Sequence, residues 1–372
     1  SPVLTPPPGA TNPIALRPET VTSGGAFVCG LTLIGEAYCW GRNAFGQLGD
    51  GTTTERSTFW PVAGGLTFTQ ISAHGWESSF DTYAGHACAL TASGAAYCWG
   101  HNGNGQLGDG TTVDRHVPTA VAGGLQFAQI DVGLAYTCGV TTAGDGYCWG
   151  NNSFGQLGDG TTTHRSTPQP IPGGLTFKQV SAGGWSSYIS MEIHTCGVTT
   201  TGVAYCWGSN ESGQLGNGQS YLGPEYFPSP GLVLGGLTFQ QISAGGQHSC
   251  GLTVSGAAFC WGTGSSGQVG SGSMSTGFLS PSAVSGGLAF TRISTGNLHT
   301  CALTTSGQAY CWGANGSGQL GDGIRKDSAV PKPVVGGLSY TMISAGLRHS
   351  CAVTSAGVPY CWGGEPSSMF SL

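Results

Sequence analysis

The sequence predicts an all-β protein: a seven-bladed β-propeller of four-stranded blades, its ring closed by N-terminal strands that complete the last blade. Three observations carry that prediction. One phrase recurs seven times in 372 residues, as in "GHACALTASGAAYCWGHNGNGQLGDGTT" from Gly85 to Thr112. Each recurrence spans about fifty residues and holds four strand-like runs. Glycine is abundant, at 68 residues, while charged residues make up only 8% of the chain. That composition suits short strands and tight turns.

The elements of one repeat follow in order. "HTCALTTSGQAYCW" is two alternating runs around a Ser-Gly turn, which makes a β-hairpin. "GQLGDG" is turn chemistry, with Asp-Gly supplying positive φ. The segment ending in P-x-x-V gives a third strand, and GGL-x-F-x-x-I gives a fourth after a glycine turn. The last repeat stops just after "YCWGG". At the other end "SPVLTPPP" resembles the Pro/Val strand, and "LRPETVTSGG" aligns with "LTFTQISAHG". Residues 1–28 are therefore expected to complete the blade begun by 351–372, making residues 1–372 one domain. Closure removes the exposed edge of a terminal blade.

Totals exclude several classes. Seventeen acidic residues against eleven Lys and Arg leave a net charge of −6, the wrong sign for nucleic acid or an anionic membrane. No apolar run approaches the roughly 18 residues that span a bilayer. The chain begins at Ser1 without Met and is read as a mature form whose targeting segment has gone.

All fourteen cysteines fall in pairs ten positions apart: Cys29 and Cys39, Cys88 and Cys98, Cys138 and Cys148, Cys196 and Cys206, Cys250 and Cys260, Cys301 and Cys311, Cys351 and Cys361. In each hairpin the pair flanks the turn symmetrically, so antiparallel pairing sets the two opposite each other. Seven intra-blade disulfides are expected. They imply an oxidising compartment, hence secretion, the periplasm or the cell surface. A column of reduced core cysteines is the bland alternative. Zinc would need a C-x2–4-C spacing that is absent.

Other repeat positions read as structural. His86, His194, His248, His299 and His349 sit two before the first cysteine, where Phe27 and Tyr136 stand in the remaining blades. Rings that interchange with imidazole suggest packing or a structural hydrogen bond. Trp40, Trp99, Trp149, Trp207, Trp261, Trp312 and Trp362 are assigned to packing between blades. Asp50, Asp109, Asp159 and Asp322 become Asn217 and Ser271 elsewhere, which favours a turn cap over a calcium ligand. Asn151, Asn210 and Asn315 begin N-x-S sequons, two of them on the repeated turn Asn. They are candidate glycosylation sites on an extracellular chain. No catalytic residue, metal or cofactor is expected. "GTGSSG" at Gly262 matches G-x-G-x-x-G only formally, because no helix follows it.

"YCWGxNxxGQLGDGTT" and "ISAGxxHTCALT" resemble the repeat family named for the regulator of chromosome condensation. The resemblance covers essentially the whole chain and implies a seven-bladed propeller. The nuclear namesake's nucleotide-exchange and chromatin functions rest on specific loops and basic surfaces, which this acidic chain does not match. Secreted bacterial relatives include an inhibitor that works by protein–protein contact. What the family shares is a scaffold.

Function is sought where the repeat is broken. Blades 2 and 4 carry insertions before the first cysteine, "AHGWESSFDTYAGH" and "AGGWSSYISMEIH". They occupy the same connection and should project from one face. Trp76, Phe80, Tyr83, Trp185, Tyr188 and Ile189 form a candidate hydrophobic patch, unless the loops fold back and plug the channel. A longer loop in blade 4 adds Tyr221, Tyr226 and Phe227 and is expected to form a second surface. The reading is a non-enzymatic extracellular scaffold that binds a protein partner through its loops. The alternatives are a subunit that assembles with copies of itself and a carbohydrate binder using Trp76 and Trp185 as platforms.

Overall fold

The computed structural model describes residues 16–79, 82–186, 191–220 and 226–364. Every regular element among them is a strand. Six four-stranded antiparallel sheets and one three-stranded sheet form seven blades, with a two-stranded ribbon beside them. Blade 5 shows the pattern: inner strand Phe239–Ala244, second His248–Thr253, third Ala258–Gly262, outer Phe278–Ala283. The second strand is buried almost throughout and the outer strand is half-exposed. The core therefore lies between blades. Six of the seven repeat tryptophans are fully buried there. The turn "GQLGDG" explains its own recurrence: Gly49 has a φ of +67°, and a Cβ there would lie 2.7 Å from Nε1 of Trp99 in the next blade. That indole donates to the Gln47 carbonyl at 3.0 Å.

The hairpin register is as expected. Each cysteine faces its partner across the second and third strands, as Cys88 faces Cys98. Cα atoms are 4.0 to 4.1 Å apart, and all seven disulfides are formed. The phase of the blade differs from the sequence reading. Leu16–Ser23 pairs with Phe27–Thr32 in the first sheet, not with the last. The F-x-x-I strand serves the hairpin that follows it. The last blade has three strands among the described residues, ending with Pro359–Gly363. Residues 1–15, which hold the remainder of the closing segment, lie outside the described residues.

A ring of side-chain acceptors joins the inner strands. Thr22, Ser72, Asp131, Ser181, Ser243, Ser294 and Ser344 each accept a backbone N–H from the next blade, at 2.9 to 3.1 Å. The seventh link, Ser23 N–H to Ser344 Oγ, closes the circle. Gln70, Gln129, Gln179 and Gln241 add double clamps, as when Gln70 donates to the Ile130 carbonyl and accepts its N–H.

The histidines form a second ring. His86, His194, His248 and His299 place Nε2 2.8 to 2.9 Å from a Thr or Ser hydroxyl of the next blade. Each hydroxyl donates its own proton to a glutamine carbonyl. The imidazole must therefore be the donor and is neutral at Nδ1. Partners are matched along the chain. Phe27 faces Ala87's blade, where no hydroxyl is needed, and the Tyr136 hydroxyl donates to the His194 carbonyl at 2.7 Å. The exception is the seam between blades 7 and 1. There Val28 stands where a hydroxyl is required, and His349 Nε2 has no partner among the described residues. Val28→Thr is expected to stabilise the protein by about 1 kcal/mol, while Thr300→Val costs about 1–3 kcal/mol by orphaning His248. Urea melts of both variants check this; a destabilised Val28→Thr would refute the matching.

Candidate interaction surface

A four-stranded antiparallel meander returns to the same end after every second strand. The inner-to-second and third-to-outer connections of all blades therefore share one end of the ring. Both insertions lie there, as expected. The long blade 4 loop lies there too, so the expectation of a separate second surface is corrected. Tyr226 pairs with Ser209, and the Ser209 hydroxyl accepts the N–H of Ile193 at the foot of the blade 4 insertion.

In blade 2 the insertion lengthens the inner hairpin. Gln70–Ser79 pairs with Thr82–Leu90 out to Ser79 opposite Thr82, with Trp76 opposite Ala84 and Glu77 opposite Tyr83. Phe80 lies outside the described residues. In blade 4, Trp185–Ser186 and Met191–Glu192 form the separate ribbon. Trp185 is half-buried, and Tyr188 and Ile189 lie outside the described residues. The Trp185 strand lies beside the lengthened inner strand of blade 2, although a blade separates their roots. Tyr226 is exposed, Phe227 is half-buried against the blade 4 core, and Tyr221 lies outside the described residues.

Glu192 anchors the ribbon. Its carboxylate is buried and accepts from Gln214 at 2.8 Å and from Gln247 of blade 5. Burial pushes its pKa up. The channel mouth at this end is a cavity of about 130 Å³. Gly75 and Gly184, the roots of the two insertions, line it with Asp131. Asp131 accepts from the Ser72 hydroxyl and the Ala182 N–H, both at 2.9 Å, which ties blades 2, 3 and 4 together. Burial raises its pKa as well. His74, half-buried opposite His86, is depressed to about 4 by desolvation. Neither Glu192 nor Asp131 was singled out from the sequence. Asp131 had a signal, because "DVG" there replaces "SAG".

The turn aspartates are caps. Burial alone would raise Asp50, but hydrogen bonds from Thr52 and Arg56 hold it below the usual carboxylate range. Asp109 and Asp159 repeat the arrangement. No group of three or more His, Cys, Asp or Glu able to hold a metal occurs among the described residues. The sequon residues are committed to the fold. Asn210 is buried and donates its amide to Asn217 and to the Gln219 carbonyl; Asn315 does the same to Asp322 and the Ile324 carbonyl. Asn151 is 7% exposed and donates to Asn104. No described helix is long and apolar enough to cross a membrane.

The profile described as "Regulator of chromosome condensation (RCC1) repeat" matches residues 35–78, 93–140, 143–189, 201–252, 255–303 and 306–353. The chain belongs to this family. Among RCC1-repeat relatives it is 32% identical over 304 residues to the ultraviolet-B receptor UVR8 of Arabidopsis thaliana, covering 80% of this chain and 65% of the receptor. It is 30% identical over 326 residues to the E3 ubiquitin-protein ligase HERC2 of Mus musculus, covering 86% of this chain and 5% of the ligase. The chain thus spans less than two thirds of these relatives' length. The fold is similar to that of Prp20p from Saccharomyces cerevisiae, with a TM-score of 0.75, 20% identity, and coverage of 93% of this chain and 82% of that one. That structure was described together with the protein's binding to Gsp1p and histones. The RCC1-repeat scaffold here differs from a plain ring in the two neighbouring insertions and the blade 4 loop.

Proposed function

We propose that this RCC1-repeat propeller is a non-enzymatic, extracellular scaffold that binds a protein partner through the end of the ring bearing the insertions. The observation that carries the reading is convergence: three departures from the repeat, rich in aromatic residues, share one end of the ring, and the strands of two of them lie side by side. Rigid aromatic groups on an ordered scaffold give contact area at low entropic cost. Prp20p supports it as an RCC1-type propeller that binds proteins. Seven disulfides support an oxidising compartment.

The test compares the wild-type chain with a Trp76→Ala, Trp185→Ala variant as bait in the extracellular fraction of the source cells. Partners captured by the wild type are identified, and their affinity for both forms is measured. Loss of about tenfold or more in affinity, with little change in Tm, is expected. Unchanged affinity together with a large fall in Tm would make the insertions a plug and sink the proposal.

A further inference from the structure

Two departures from the repeat stand on neighbouring blades around the channel. Asp131 of blade 3 replaces the hydroxyl that the other six blades place there, Ser in five of them and Thr22 in blade 1. His74 of blade 2 stands where the others have Gly24, Gly133, Gly183, Gly245, Gly296 and Gly346. Both line the mouth of about 130 Å³ at the insertion end. That wall is rich in acceptors. Ser23 Oγ, His74 Nδ1 and Asn297 Oδ1 are buried on it without a partner among the described residues, and Ser23 is only 7% exposed. Among the described residues, no lysine or arginine lines the mouth, and Asp131 forms no ion pair. Lys178 and Arg292 line a second cavity of about 490 Å³, which Asp131 also faces. They precede the ring residues Ser181 and Ser294 on their strands, whereas the mouth glycines follow them, so these cations belong to the opposite end. His74 supplies no charge either, because burial keeps it neutral above about pH 4.

We infer that the channel mouth is a binding site for one alkylammonium or guanidinium group, supplied by a lysine or arginine of the protein partner, with Asp131 as its counter-ion. A carboxylate offers about four lone-pair sites. Those of Asp131 take the Ser72 hydroxyl, the Ala182 N–H and the Ser181 hydroxyl, which leaves room for one more donor. A charged donor gives the strongest such bond, and a desolvated carboxylate without a cation gains most from one. Ser23, Asn297 and His74, with its proton on Nε2, accept the remaining N–H groups. The volume also fits, because about 130 Å³ is space for several waters or for the end of one long side chain. This occupant rests on the reading that a protein docks at the insertion end, whereas the site itself stands on the residues of the mouth.

The probe is n-butylammonium, with n-butanol as its uncharged control, and the readout is the amide resonances of Gly75, Gly184 and Gly246 in the full chain. Asp131→Ser restores the residue of five other blades and keeps an acceptor for the Ala182 N–H, so it should fold with little change in Tm. Butylammonium is expected to shift the three amides and n-butanol to leave them in place. Asp131→Ser should weaken the amine, and the partner captured by the wild type, by about tenfold or more each. Absent shifts in the wild type, or equal amine binding by Asp131→Ser, would overturn the site. Amine binding lost in Asp131→Ser with partner affinity unchanged would overturn the partner's side chain as occupant in favour of a free amine. Asp131→Asn, uncharged and of the same shape, decides if the serine variant does not fold. The amine titration needs no partner, so its outcome is separate from that of the Trp76→Ala, Trp185→Ala comparison.

Discussion

Between pH 6 and pH 4 the protein is expected to lose several kcal/mol of unfolding free energy. Burial depresses His194, His248 and His299 to about 3 and His74 and His349 to about 4, and takes His86 well below its ordinary value. The unfolded chain binds these protons near pH 6.5. From that pH down to each folded value the unfolded state holds more protons, so stability falls with pH. It is fully present above about 6.5. Each histidine contributes up to about 1.4 kcal/mol per pH unit within its window. Asp131 and Glu192, raised by burial, act in the opposite direction but are two groups against six. The capped aspartates Asp50, Asp109 and Asp159 add their loss only below their ordinary range. Urea melts at pH 7, 6, 5 and 4 measure the slope. His248→Asn, which still donates but cannot charge, should remove one group's share. A stability that stays flat from pH 6 to 4 would contradict the buried neutral relay.

The second large effect concerns the disulfides. Each closes a loop of about eleven residues, worth about 3 kcal/mol in the chain-entropy account. Removing all seven is expected to prevent refolding from denaturant. In native buffer the same bonds should resist reductant, because thirteen of the fourteen cysteines are completely buried. The exception is Cys361, on the third strand of the last blade. Cys351–Cys361 is expected to be the first bond reduced. Peptide mapping after timed reduction and alkylation checks the order. Random order among the blades would show that exposure does not control the reaction.

Much of this was legible in the residues. Hairpins, cysteine pairing and the aspartate cap depend on neighbours within one repeat, where spacing fixes geometry; the structural role of the histidines was legible from the rings that replace them, although their hydroxyl partners lie in the next blade. What was missed depends on contacts between repeats. A cyclic repeat has no natural first residue, so the text alone does not say whether the F-x-x-I strand closes one blade or opens the next; the pairing of Val21 with Gly30 decides it. The Ser72 hydroxyl looked like an ordinary strand residue because its partner is the backbone of Val132, sixty residues away. The blade 4 loop was assigned a separate surface because distance along the chain stood in for distance around a meander.

The contacts between blades also have a direction. Every blade presents acceptors such as Ser72 on one flank and fills the preceding blade's acceptors from the other. The two flanks differ, so one blade cannot pair with another face to face. Such a heterologous contact would add units without limit unless its rotation returns to the start. Here it does so after seven, at the bond between Ser23 and Ser344. The angle between neighbouring blades is thus what makes this chain a bounded object instead of a growing helix of blades.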